Sequence, residues 1–228
     1  MTMALGYGRS SPSQWECKMC YVNADDRWRD ILQREGMTTL EVALTYEGSR
    51  LLSNKRRSRT WLHTTEQGQN IFIKQDKSSC KRAMLRALIR FQKPRTAVEK
   101  EYEKLKAMKK LGFNVPEVIL IGATRKMLFM PDKAVMIMLP VPGRSLDKIW
   151  KEEKDETIRL RARQLALDTL AQLWERGCDW GRDCKPEHFF IAEDGTVSLI
   201  DVERMHFRRK ALPQKTRDEQ LARFNGLL

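Results

Sequence analysis

The stretch from Gly181 to Asp201 leaves this chain few ways to fold. It opens on Gly181-Arg182-Asp183-Cys184-Lys185-Pro186-Glu187-His188, continues through the apolar Phe189-Phe190-Ile191, turns at Glu193-Asp194-Gly195 and closes on Leu199-Ile200-Asp201. Two short apolar runs around a glycine-containing turn predict a β-hairpin with arms near 189–191 and 196–200. The hairpin places Asp183 ahead of its first arm, His188 at the start of that arm and Asp201 at the end of the second. A carboxylate after Leu199-Ile200 is costly to bury without a partner, and a bound cation is one natural partner. Upstream, a helical pattern from about 156 to 175 is closed by Gly177.

The remaining chain divides at a punctuated connection. Residues 1–37 read as an arm, with a short helix near 25–35 stopped by Gly36. Residues 38–47 look β-like, and a basic loop (Lys55, Arg56, Arg57, Arg59) precedes strand candidates at 60–65 and 70–75, joined by the turn Gln67-Gly68-Gln69. Helical patterns follow near 81–91 and 97–111, the second ended by Gly112 and Pro116. Strand candidates at 118–122 and 134–139 lead into Pro140, Pro142 and Gly143, a hinge before a helix that Ser145 is placed to cap. The tail from Arg208 is basic and helical near its end. The expected organisation is α+β, with an arm at 1–37, a β-rich lobe over 38–139 and a reduced, mainly helical lobe over 140–228.

The 228 residues include 43 Lys and Arg against 30 Asp and Glu, a net charge of +13. Such an excess attracts nucleic acid, anionic membrane surface or phosphorylated small molecules. No apolar run approaches the roughly 18 residues of a membrane span. Residues 1–13 lack the features of a secretory signal, which predicts a cytoplasmic chain. The five cysteines are odd in number and scattered, so free thiols are expected, and the Cys17/Cys20 pair lacks a second pair at zinc-site spacing. No stacking-aromatic motif accompanies the basic excess, so nucleic acid is not the favoured partner.

Five side chains in this element order suit phosphoryl transfer. Lys74 ends the apolar run Ile71-Phe72-Ile73 and can hold an ammonium against nucleotide phosphates. Glu101, on the helix whose inward stripe includes Leu105, Met108 and Leu111, can pair with Lys74, although Glu99 and Glu103 beside it make a solvated face the alternative. Asp183, after an arginine, is placed to orient an attacking hydroxyl and accept its proton, while His188 and Asp201 are candidate ligands for Mg2+. A core histidine bonded to backbone is the other reading of His188.

The segments Arg182-Asp183-Cys184, Pro186-Glu187-His188-Phe189-Phe190-Ile191 and Leu199-Ile200-Asp201-Val202-Glu203-Arg204 resemble the Kdo/lipopolysaccharide kinase family, relatives of protein kinases. Phe72-Ile73-Lys74-Gln75, Glu101 and Val115-Pro116 extend the likeness upstream. That resemblance implies a protein-kinase-like two-lobed fold, ATP and Mg2+ as cofactors, Lys74, Glu101 and Asp183 as catalytic residues, and His188 and Asp201 as metal ligands. It also implies Leu139 and Val141, at the hinge, as nucleotide contacts. The implied reaction is transfer of the ATP γ-phosphoryl group to a sugar hydroxyl of the lipopolysaccharide inner core. A protein Ser/Thr kinase and a nucleotide-binding pseudokinase are the alternatives. Arg82, Arg86, Arg90 and Lys93 fall on one helix face, a stripe suited to an anionic glycolipid or to peripheral contact with the cytoplasmic face of the inner membrane.

Overall fold

Strand β1 (Cys20–Ala24), helices α1 (Asp26–Arg34) and α2 (Leu40–Thr45), and strands β2 (Arg50–Asn54), β3 (Ser58–Thr64) and β4 (Asn70–Asp76) open a computed structural model of the chain. The structure describes residues 20–24, 26–77, 85, 89, 93–126 and 130–228. Helix α3 (Ala97–Lys110) and strands β5 (Val118–Lys126) and β6 (Met130–Met138) follow. Six strands form one sheet in the order β1-β5-β6-β4-β3-β2. The chain divides into two compact units, one drawn from 1–69, 73–96 and 119–137, the other from 70–72, 97–118 and 138–228.

In the first unit the alternation along β4 explains its place in the sheet. Ile71, Ile73 and Gln75 are buried, while Phe72 and Lys74 on the opposite face are half-buried. The Gln75 amide donates to the carbonyls of Ala43 (3.0 Å) and Tyr46 (2.8 Å), so a buried polar side chain holds α2 and the residues after it. That segment corrects the β-like expectation for residues 38–47, because 40–45 are helical. The Thr39 hydroxyl accepts the Val42 N–H at 3.3 Å, and Leu40 and Ala43 are buried. A cap and an inward pair outweigh the β-branched composition. Strand β1, within the segment expected to be an arm, pairs antiparallel with β5 from Cys20↔Thr124 to Ala24↔Leu120. The helix expected near 81–91 lies largely outside the described residues; Leu85 and Ile89 are helical and exposed.

A polar lock joins the end of α1 to β3. His63 Nε2 donates to Glu35 Oε2 at 2.8 Å, the Glu66 N–H donates to Glu35 Oε1 at 2.7 Å, and Ser49 Oγ lies 3.1 Å from His63 Nδ1. Burial pushes the Glu35 carboxyl up, but the hydrogen bonds from His63 and Glu66 and the charge of His63 outweigh it and hold Glu35 below its ordinary value. Because the folded value is the lower one, this group's contribution to stability is complete above the ordinary glutamate range, about 4.3, and is lost as pH falls through the folded value. The urea midpoint of the wild type should therefore drop more steeply than that of Glu35→Gln as pH is lowered below about 4.5. Equal slopes would remove Glu35 from the acid sensitivity of the unit.

In the second unit α3 ends as its sequence dictates. Gly112 takes φ 82°, and the Phe113 N–H returns to the Met108 carbonyl at 3.1 Å. After β7 (Arg144–Ser145) come α4 (Leu146–Glu152) and α5 (Glu156–Glu175), the latter capped by Asp155, whose Oδ1 accepts the Thr157 N–H at 2.8 Å. Ser145 is the N-cap of α4 without a side-chain capping bond. Strands β8 (Cys178–Asp179), β9 (Phe189–Ile191), β10 (Val197–Leu199) and β11 (His206–Phe207) and helix α6 (Gln214–Asn225) complete the unit. The hairpin forms as expected, with Val197↔Ile191 and Leu199↔Phe189, and β7 pairs with β9 on its other side. Gly143, at φ 90°, lets that pairing approach, because a Cβ there would run into the Ile191 carbonyl.

Candidate active site

The core of the second unit shapes the loop that carries Asp183. Trp180 is 1% exposed. Its ring stacks on His188 with centroids 5.6 Å apart and contacts Phe189 at 5.4 Å, and Phe189 meets Phe224 edge-on at 5.2 Å. Aromatic contacts of this kind add about 0.5–1.5 kcal/mol per pair beyond the area they bury. Around this pile the chain makes two single turns, Gly181–Asp183 and Pro186–His188, separated by the buried Cys184. Gly181 takes φ 56°, and the Asp183 N–H closes its turn on the Trp180 carbonyl at 3.2 Å.

Asp183, His188 and Asp201 come together here. His188 is buried, and its Nδ1 lies 2.8 Å from the Asp183 carbonyl. A carbonyl can only accept, so Nδ1 is the donor, and in the neutral ring Nε2 carries the lone pair. That Nε2 faces Asp201 Oδ2 at 3.7 Å and Glu187 Oε1 at 3.5 Å. The Ile200 N–H donates to the His188 carbonyl at 3.0 Å, which brings the end of β10 beside the histidine. Asp201 adopts φ 53°, ψ 48°, the single positive-φ non-glycine residue among those described. Aspartate tolerates this region better than most side chains, and such conformations gather at functional sites. Trp180 Nε1 donates to the Asp201 carbonyl at 3.3 Å, fixing the turn while the carboxylate stays more than half exposed. Asp183 Oδ2 lies 3.4 Å from Arg204 Nε, and Lys185 Nζ pairs with Glu187 Oε1 at 3.1 Å.

Helix α3 supports the same turn. Val98, Glu101, Leu105 and Met108 form its buried stripe, so Glu101 lies on the inward face, and Glu99 is buried as well. Lys104 donates to the carbonyl of Glu203, two residues past Asp201, and burial lowers its pKa. Lys74 is on β4 in the first unit. Leu139 and Val141 are in the second unit and half-buried; the Leu139 N–H donates to the Glu117 carbonyl at 2.9 Å. Among the described residues no group of three or more His, Cys, Asp or Glu side chains is gathered tightly enough to hold a metal ion alone.

Sequence reasoning misses two neighbours of the site. Asp179 is buried and bonded to Gly181, Gln220 and Arg208. Its local sign is an Asp two residues before a Gly, the pattern of an Asx turn. Trp180 is the other, a core residue whose Nε1 also bonds the Asp201 backbone. The cysteines here are buried thiols. Burial pushes Cys184 up to about 12 and Cys178 to about 11, against small opposing effects of Arg223 and Arg176. Iodoacetamide at about pH 8 should leave both unmodified in the native protein and label both in denaturant, since the thiolate is the reactive form. Peptide mapping checks this, and native labelling of Cys184 would mean that the Asp183 loop opens.

Against this geometry, residues 43–226 match the model of the lipopolysaccharide kinase (Kdo/WaaP) family. No curated protein matches the sequence significantly. Among solved structures the chain is similar to WaaP in complex with acyl carrier protein, with a TM-score of 0.61 and 17% identity, covering 90% of this chain and 80% of that one. A co-crystal structure of WbdD with the kinase inhibitor LY294002 aligns at a TM-score of 0.45 and 19% identity, over 77% of this chain and 36% of that one. At such identity the likeness to WaaP concerns the fold, which is α+β and protein-kinase-like.

Proposed function

The chain belongs to the lipopolysaccharide kinase (Kdo/WaaP) family, and from that premise we propose that it transfers the γ-phosphoryl group of ATP to a sugar hydroxyl, of Kdo or heptose, in the lipopolysaccharide inner core. The observation that carries this reading is the convergence on Trp180 of the Asp183 N–H, the His188 ring and the Asp201 carbonyl. Asp183 is the base that orients the acceptor hydroxyl and takes its proton.

His188 and Asp201 fit a divalent cation on donor chemistry. With Nδ1 donating to the Asp183 carbonyl, a neutral His188 turns a lone pair toward the Asp201 carboxylate, and two acceptors face one another. A divalent cation held by His188 and Asp201 would satisfy both acceptors. Mg2+ held there would neutralise charge on the phosphate oxygens. Lys74 is assigned to the nucleotide phosphates and Glu101 to fixing that ammonium. Glu101 is on the buried stripe of α3, in the second unit. Leu139 and Val141 are assigned to the nucleotide base.

Among the described residues no helix is long and apolar enough to cross a membrane. We keep the chain on the cytoplasmic side of the inner membrane as a peripheral contact. The exposed Leu85 and Ile89, 60% and 68% accessible and one helical turn apart, support this beside the basic stripe. Arg82, Arg86 and Arg90 of that stripe lie outside the described residues, while Lys93 is exposed.

The test is transfer of labelled γ-phosphate from Mg-ATP to purified inner-core acceptors, run beside a thermal-shift titration with ATP. Transfer to a Kdo or heptose acceptor is the expected result. Stabilisation by ATP without transfer would redirect the search to another acceptor, including protein Ser/Thr. Neither response would make the chain a pseudokinase.

A further inference from the structure

Asp179 is a buried carboxylate to which the phosphoryl-transfer scheme gives no task. An ionised carboxylate only accepts hydrogen bonds, and here each oxygen receives two. Oδ1 accepts from the Gly181 N–H at 3.0 Å and from Gln220 Nε2 at 2.8 Å; Oδ2 accepts from Arg208 Nε at 3.1 Å and Nη2 at 2.6 Å. The donors come from three separate stretches of chain. Gln220 is on α6, its Oε1 accepting from Trp174 Nε1 of α5 at 3.0 Å. Arg208 follows β11, which pairs with β8 through His206↔Asp179 and Phe207↔Cys178.

Stability alone is a weak reason for this arrangement, because the Arg208 side chain is half exposed and an ion pair that open to solvent contributes little. What a charge provides here and an apolar side chain does not is direction. The bond to the Gly181 N–H is made at the residue in the left-handed conformation, two positions before Asp183. At the far end of the same loop the Asp183 carbonyl is held by His188 Nδ1. The loop carrying the base is thus fixed at both ends, once by Asp179 and once by His188.

We propose that Asp179 is a positioning residue for Asp183, setting the path of its loop through the Gly181 N–H, with Arg208 and Gln220 holding the carboxylate in register. The inference rests on the kinase reading for what Asp183 does, and on the hydrogen-bond geometry for the rest.

Three variants test it: Asp179→Ala, which removes all four bonds; Asp179→Asn, which keeps the Oδ1 acceptor; and Arg208→Met, which removes the charge partner. Amide hydrogen exchange in the peptide spanning 178–188 should rise about tenfold in Asp179→Ala, with the rest of the second unit unchanged. In the same variant kcat should fall about 100-fold with KM for ATP within about threefold, as expected when a catalytic group is displaced by about an ångström. Asp179→Asn and Arg208→Met should show smaller changes in the same direction, and they carry the test if the Ala variant does not fold. Exchange and kcat like those of the wild type would overturn the proposal, as would exchange rising evenly through the second unit. A wild type without transfer activity would sink the kinase reading and leave the exchange measurement to decide this one.

Discussion

Asp183→Asn is expected to lower kcat for phosphoryl transfer by about 100- to 10,000-fold, the range lost when a positioned general base is removed. Asparagine keeps the shape and one acceptor oxygen but cannot take a proton. The backbone bonds of this residue survive the change: its N–H closes on Trp180 and its carbonyl accepts from His188. Besides basicity, the substitution removes the ion pair with the largely exposed Arg204 at 3.4 Å. A pair that open to solvent contributes about 0–1 kcal/mol, so the melting temperature should barely move. Nucleotide affinity should stay within about threefold, because a residue acting only in the transition state lowers kcat without raising the dissociation constant. Single-turnover transfer measured beside ATP binding gives the decision. A variant retaining more than about a tenth of the wild-type rate would move the base elsewhere, since even modest general-base contributions exceed that.

The parts of this protein legible in its sequence are those whose causes are local. Helix α5 runs over Glu156–Glu175, the bounds its pattern implies, because Asp155 caps it and Gly177 ends it. Strands β9 and β10 are legible because Gly195 permits the turn between them, with φ 85°. Spacing along that hairpin is enough to pick out Asp183, His188 and Asp201, which the fold brings together. What is not legible depends on distant partners. Strand β1 exists through β5, and α2 replaces an expected strand because Gln75, from β4, holds its carbonyl and the next turn. Asp179 gains its meaning from Arg208 and Gln220, on two later segments. Trp180 shows the same limit. Its burial follows from being a tryptophan beside apolar positions, but the bond to Asp201 requires knowing how the hairpin returns.

Trp180→Ala is expected to destabilise the second unit by about 3–5 kcal/mol, the usual cost of deleting a buried tryptophan. The ring is 1% exposed and lies between His188 and Phe189, so its removal leaves a cavity that the pile cannot readily close. A loss of that size is a large fraction of the stability of an ordinary domain, and the variant should be partly unfolded at ambient temperature. Trp180→Phe separates packing from polarity. It keeps much of the ring but removes the donor to the Asp201 carbonyl, which lies on an exposed residue, at a cost of about 0.5–1.5 kcal/mol, the net worth of one hydrogen bond. Asp201 sits in a conformation that its surroundings must enforce, at φ 53°. Removing one restraint should therefore raise the Mg2+ concentration needed for half-maximal transfer, measured under conditions where the variant is fully folded. Denaturant melts of both variants and a Mg2+ titration of Trp180→Phe make the comparison. If the Phe variant loses stability with an unchanged Mg2+ requirement, Trp180 is a core residue alone and its bond to Asp201 has no part in placing the carboxylate.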